Sequence, residues 1–222
     1  MSATTIETFE PVPVPTPEVA VPTVALPRRT IDLVLIGFGA VATVVLAIAG
    51  GLLTWGHQFS NDYVTRELSS QNITFPSAAQ LTEEGRTDLL EFADRRLDTG
   101  VEAQGYASYI NGHLADIAGG ATFADLGVTE RAAKGDVAAA VEAGAAQSDV
   151  DALQATADGI STQRNSLFKG ETLRGLLLSA YAWSTVGTIA GIAAIAAFIG
   201  AAVMAVLVVL GLIHHHSTPR NA

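Results

Sequence analysis

Apolar residues crowd into two long blocks, and between them the pattern changes to helical alternation. From Ile31 to Trp55 the chain reads IDLVLIGFGAVATVVLAIAGGLLTW, with Asp32 its single charge. About 20 apolar residues cross a hydrocarbon core of roughly 30 Å, so this block predicts a transmembrane helix over 30–55. Gly175 to Ile213 holds no charged residue in 39 positions. At about 1.5 Å per residue that is roughly 58 Å of helix, longer than one bilayer, so part of it must protrude. The span itself is expected over 181–213. Between the blocks, residues 56–180 read as helices. Thr99 and Glu102 have capping-box spacing, and the helix after them places Tyr106, Tyr109, Ile110, His113, Leu114 and Ile117 on one face. Ser148 and Asp151 repeat the cap signal. Shorter helices are predicted at 82–97 and 129–144, with a strand-like break at NITFP, 72–76, ended by Pro76.

These elements predict an all-α protein: two antiparallel transmembrane helices with an extracytoplasmic helical domain inserted between them. Trp55 closes the first span, and Tyr181 and Trp183 open the second. Trp and Tyr favour the interface, where an apolar ring keeps its polar edge wet, so the three are expected at one rim. Arg28 and Arg29 mark the other rim and argue for cytoplasmic termini in a plasma membrane. Arg66, Lys169 and Arg174 lie near the opposite rim, but charges in a long translocated segment count for little in that rule. AIA at 47–49 has the look of a small-residue cleavage site, which would leave a C-terminally anchored protein; the long leader and the apolar run beyond it favour a retained span.

Small residues recur every four positions in both blocks: Gly39, Thr43, Ala47 and Gly51 in the first, and Ala193, Ala197, Ala201 and Ala205 in the second. Gly187 and Gly191 add GxxxG. Such ridges let helix backbones approach closely in lipid. The expected contact is one span on the other, with a second copy or another membrane protein as the alternative.

Charge and composition narrow the function. Residues 56–180 carry 18 acidic against 9 basic side chains, a field that disfavours nucleic acid. Cysteine is absent, which removes thiol chemistry. Residues 1–29 contain six of the eight prolines, several as PVPVPTP, and read as a disordered cytoplasmic tail; residues 214–222, with His214, His215, His216 and Arg220, form a second tail. His57, His113 and Glu102 or Asp116 are the components from which a metal site would have to be built, yet no HxH, HExxH or ExxH spacing supports one. No phosphate loop, dinucleotide fingerprint or GxSxG is present, so no catalytic, cofactor or metal residues are assigned. Tyr106, Tyr109 and His113 form a candidate ligand face. The expectation is a non-enzymatic accessory or interaction subunit whose partners are the lipid bilayer and other membrane proteins or itself. A membrane-anchored sensor or small-ligand-binding protein is the alternative, and a membrane enzyme the third reading.

NITFP after the first span and FKGETLRGLLLSAYAWSTVG entering the second resemble small two-span membrane proteins of actinobacteria with an exposed helical loop. The similarity covers roughly residues 28–213. Two lysines against ten arginines suit a high-GC bacterial source. The resemblance implies a topology and a cell-envelope setting without site residues; some such proteins carry a ring-opening dioxygenase label, and this sequence lacks the metal-ligand cluster that chemistry needs.

Overall fold

The computed structural model describes residues 28–217. The predicted Pro-rich tail before Arg28, and Arg220 with its neighbours after Ser217, lie outside the described residues. Five α-helices follow in order: α1 (Arg28–Ser70), α2 (Ala78–Glu83), α3 (Gly100–Ala118), α4 (Phe123–Glu142) and α5 (Gln147–Ser217), with a 3-10 turn at Thr87–Phe92 between α2 and α3. No strand occurs among the described residues. The only extended pairing there is an isolated bridge between Thr74 and Arg96, so NITFP is a strand-like break, as its residues suggest. α1 and α5 are both long and apolar enough to cross a membrane.

Neither of these helices stops where the apolar block stops. α1 continues 15 residues past Trp55, and α5 runs 71 residues without interruption. Nothing between Gly56 and Ser70, or between Gln147 and Tyr181, is a proline, and helix propagation is favourable wherever one face packs. The expected boundaries at 55/56, 180/181 and 213/214 are therefore changes of surface and not of backbone. Ser148 lies inside the first turn of α5, where the amides of Asp149 and Val150 bond the Ala146 carbonyl. It is not the cap that its spacing suggested.

The helix expected over 82–97 is replaced by α2 and the 3-10 turn. Gly85, at φ +71°, ends α2: its amide bonds Thr82 O at 3.1 Å, and the Arg86 amide bonds Leu81 O at 2.7 Å. This is a Schellman closure, which needs a left-handed residue. At its start, Ser77 and Gln80 form a capping box. Thr99 and Glu102 form the box expected of them at α3. Thr122 and Asp125 form a third, which starts α4 six residues earlier than the predicted 129.

α1 and α5 contact each other along most of α1, with ascending numbers on one meeting descending numbers on the other. Gly39 lies against Val208, Gly50 against Phe198 and Gly187 against Ser60. On α1 the seam runs through Gly39, Thr43, Leu46, Gly50, Leu53, His57, Ser60, Val64 and Leu68, all buried or half-buried. The steps are mostly alternating fours and threes, the 3.5-residue average of coiled-coil packing. This corrects the period-four ridge. At about 100° per residue, a step of four advances about 40° round the helix, so Ala47 and Gly51 have rotated off the contact and are exposed. Nothing lies within 4 Å of where a Cβ on Gly51 would stand. On α5, Gly187, Gly191 and Ala201 lie on the seam, while Ala193, Ala197 and Ala205 are half-buried beside it.

Above the apolar region the same two helices become part of the core of the remaining elements. Val64 and Leu68 of α1 and Leu177 of α5 join Phe75, Leu81, Leu89, Phe92, Leu97, Ala103 and Ala107 in one buried cluster. Phe75 stacks on Phe92 and meets Tyr106 edge-on, each with centroids 5.2 Å apart. A smaller cluster of Leu114, Leu126 and Leu167 joins α3 and α4 to α5.

Candidate functional site: the joint between the apolar pair and the outer helices

The densest polar arrangement between α1 and α5 sits where the apolar blocks end. Ser60 Oγ donates to the Trp183 carbonyl at 2.6 Å, and His57 Nδ1 lies 2.7 Å from the Gly187 carbonyl. A carbonyl only accepts, so His57 Nδ1 carries the proton in this contact. In the neutral ring the lone pair is then on Nε2, 3.4 Å from Asn61 Nδ2. Both α5 carbonyls already belong to the helix, and each serves as an additional acceptor.

Glycine makes these bonds reachable. A Cβ on Gly187 would stand 2.9 Å from Ser60 Cβ, and one on Gly191 would stand 2.8 Å from His57 Nδ1. GxxxG here forms a groove into which α1 sets two polar side chains, which adds directional bonds to the close approach that small residues allow. Sequence reading found Gly187 and Gly191 but missed Ser60, Asn61 and the bond made by His57. Their spacing on α1, at 57, 60 and 61 just past an apolar block, was the available signal.

The outer helices attach at the same level. A Cβ on Gly100, the first residue of α3, would collide with the Ser184 side chain and come within 3.3 Å of Tyr181 Cα. Gly100 is therefore required for contact and not for backbone freedom. Two residues on, Glu102 is almost fully buried and pairs with Arg95 at 2.6 Å. Burial pushes the Glu102 carboxyl up, but the Asp98 and Thr99 amides, the Thr99 hydroxyl and the Arg95 charge outweigh it and hold it below its ordinary value. Asp98 shifts the other way, raised by burial and by its closeness to Glu102.

A second polar cluster clasps α4 to α5. Glu130 takes hydrogen bonds from Lys134 at 2.6 Å, Ser161 at 2.6 Å and Arg164 at 2.8 Å, which hold its carboxyl down to about 2. The Arg164 guanidinium also lies over the Phe123 ring, 4.2 Å from its centroid, a cation–π contact.

The remaining sequence-predicted residues fall in separate places. Arg28 and Arg29 begin α1 and are exposed. Trp55 and Trp183 are also exposed, with Tyr181 half-buried, but the tryptophans do not share a level. Ser60 is the residue that meets Trp183, so Trp55 sits deeper along the pair, by on the order of 10 Å. The single aromatic rim is thus a band two turns tall. Trp55, Phe59 and Tyr63 stack in sequence up the outer face of α1.

Tyr106, Tyr109 and His113 are adjacent, as their helical spacing implies. Tyr106 packs on Phe75, Tyr109 donates to Glu84 Oε1 at 3.3 Å, and His113, though exposed, meets the Tyr109 ring edge-on with its Nε2 3.9 Å from Glu84 Oε2. They clamp the end of α2 onto α3. His113 and Asp116 are neighbours one turn apart on α3, but no group of three or more metal-ligating side chains occurs among the described residues. Comparison of the chain with protein-family models, with curated proteins and with solved structures returns no match.

Proposed function

We propose that this chain is a two-span integral membrane protein that holds an acidic helical domain rigidly outside a plasma membrane, as an accessory or interaction subunit and not as a catalyst. α1 and α5 are its antiparallel spans, residues 56–180 form the inserted domain, and both termini are cytoplasmic. The setting is the actinobacterial cell envelope, on the resemblance carried by NITFP and FKGETLRGLLLSAYAWSTVG. The observation that carries the reading is continuity: the two helices that are long and apolar enough to span also supply Val64, Leu68 and Leu177 to the outer core. Any displacement of the domain must therefore move the spans.

Beyond Gly187, α5 extends 40 residues to Gln147, a reach of about 60 Å. With nine net negative charges on residues 56–180, the domain as a whole selects for a partner with a basic surface. Purification in mild detergent tests the reading: a stoichiometric membrane partner is expected, and its recovery should fall when exposed carboxylates across residues 56–180 are charge-reversed. A protein that purifies alone, and whose deletion removes no cellular complex, overturns it. Protease accessibility of residues 60–170 in intact cells tests the orientation, with cleavage from outside as the expected result.

A further inference from the structure

The paired helices lose their apolar surface at different heights. On α1 the first charge past the apolar block is Asp62, exposed and followed by exposed Arg66 and Glu67. The contact of Ser60 with Trp183 puts Asp62 roughly level with Trp183. On α5 the nearest charge above that level is Arg174, nine residues away, or about 13 Å at the helical rise. Over this height α1 exposes Asp62 and Arg66 while α5 exposes Leu173, Leu176 and Trp183, which line a groove of about 380 Å³ with Tyr63 and Glu67 of α1. α3 covers the Tyr181 and Ser184 side through Gly100 and leaves these residues uncovered.

We propose that this flank of α5 lies on the outer-leaflet interface of the bilayer that the spans cross, so that the hairpin stands tilted toward α5. The inference rests on the spanning reading and adds where the emergent segment goes. Three observations select lipid as the occupant. The flank continues upward from the exposed Val186 of the span through Trp183 to Leu176, with Ser179 the polar residue of α5 lining it between them. Its ring-bearing residues, Trp183 and Tyr63, are of the type that prefers the interface. Asp62 and Arg66 of α1 stand outside the groove lining, where the same tilt lifts them into water, while Glu67 lines the groove and keeps its carboxylate at headgroup level. Across a helix pair roughly 20 Å wide, an offset of about 13 Å corresponds to a tilt on the order of 35°, inside the range of up to about 40° seen for spanning helices.

The absence of cysteine permits single spin labels in the full chain. Labels at Leu176→Cys, Arg66→Cys and, as a mid-span control, Val44→Cys are read in phosphatidylcholine–phosphatidylglycerol vesicles by collision with oxygen and with a water-soluble nickel chelate. The oxygen-to-nickel accessibility ratio is expected to be several-fold higher at 176 than at 66, and highest at 44. Equal, water-like values at 176 and 66 with a lipid-like value at 44 overturn the tilt and leave the spans intact; a water-like value at 44 overturns the spanning reading itself. A label at 176 shielded from both reagents and broadened by a second spin overturns the lipid contact in favour of a second copy. Independently, Trp55→Phe leaves Trp183 as the one tryptophan, whose emission should be quenched by lipids brominated high on the acyl chain. Unquenched Trp183 emission also overturns the proposal.

Discussion

Between Gln147 and Lys169, α5 buries or half-buries Leu153, Ile160 and Leu167 and gives solvent Asp151, Gln154 and Asp158. Between Ser184 and Gly211 the same side of the same helix carries Ser184, Gly187, Gly191, Ala194 and Ala201, while Val186, Ile189, Ile192, Ile195 and Ile199 face outward. The inward spacing is unchanged across the two halves; apart from buried Ala157 in the first and Phe198 against Gly50 in the second, large side chains stand inward in the first half and small ones in the second. In water, large apolar side chains are driven inward because burial removes them from solvent. On the proposed spanning reading, the drive is missing against hydrocarbon, since lipid tails are as apolar as isoleucine, and contact comes from close approach and interhelical hydrogen bonds. Leu177, buried, and Ser184, packed against Gly100, lie two turns apart at the changeover.

The sharpest way to break this comparison is to sever the halves. Leu177→Pro removes a buried side chain and interrupts the helix at a cost of about 3 kcal/mol or more. Residues 60–170 should be cleaved markedly faster than in the unsubstituted protein while the chain stays in the membrane fraction; an unchanged cleavage rate would mean that the halves are not coupled through α5. In the water-facing half, Leu81→Ala empties a fully buried position and should destabilise the outer domain by about 2–5 kcal/mol, seen as a lower thermal midpoint by circular dichroism in detergent. In the apolar half the costly change goes the opposite way in size. Gly187→Leu forces a side chain against Ser60 and should cost about 1–3 kcal/mol, whereas Gly51→Leu, with open space around it, should be neutral. Equal melting of the two would remove the seam as drawn. Ser60→Ala deletes one interhelical bond and should cost about 0.6–1.7 kcal/mol, measured against Gly187→Ala in a double-mutant cycle. The smallest effect is electrostatic. Glu130 is held to about 2 in the folded chain against a usual value near 4.5, so the unfolded chain takes up its proton first. Its stabilisation is complete above about pH 4.5 and is lost as pH falls toward 2. Glu130→Gln should therefore flatten the acid limb of the melting curve between those values.

Much of the helical order was legible because it depends on local chemistry. The Thr99/Glu102 box fixes where α3 begins, and the tyrosines after it fall on neighbouring turns as a 3.6-residue period requires. The two apolar blocks were visible from length and absence of charge alone. The seam was harder to read. Alanine and glycine are so frequent in both blocks that a spacing of four and a spacing of 3.5 each find residues to fit. Gly50 and Ala47 are indistinguishable by composition, and only the register against Phe198 separates them. The joint was missed for a related reason: Ser60 and Asn61 look like ordinary interface polars until carbonyls 183 and 187 are known to stand opposite. The misplaced helix at 82–97 turned on Gly85, whose positive φ converts an apparently continuous amphipathic run into a stop and a new start.

The two bonds that close the joint, from Ser60 to Trp183 and from His57 to Gly187, bridge 123 and 130 residues of sequence. A ribosome adding 5–20 residues per second needs on the order of 10 s to make that intervening stretch. For this interval α1 is present without the helix that its serine and histidine are meant to meet. Its seam, with Ser60 and His57 not yet bonded to α5, is then open to another helix with small residues. The order of synthesis thus assigns α1 a waiting period, and slowing elongation through residues 61–182 should raise the fraction of chains that pair with the wrong neighbour.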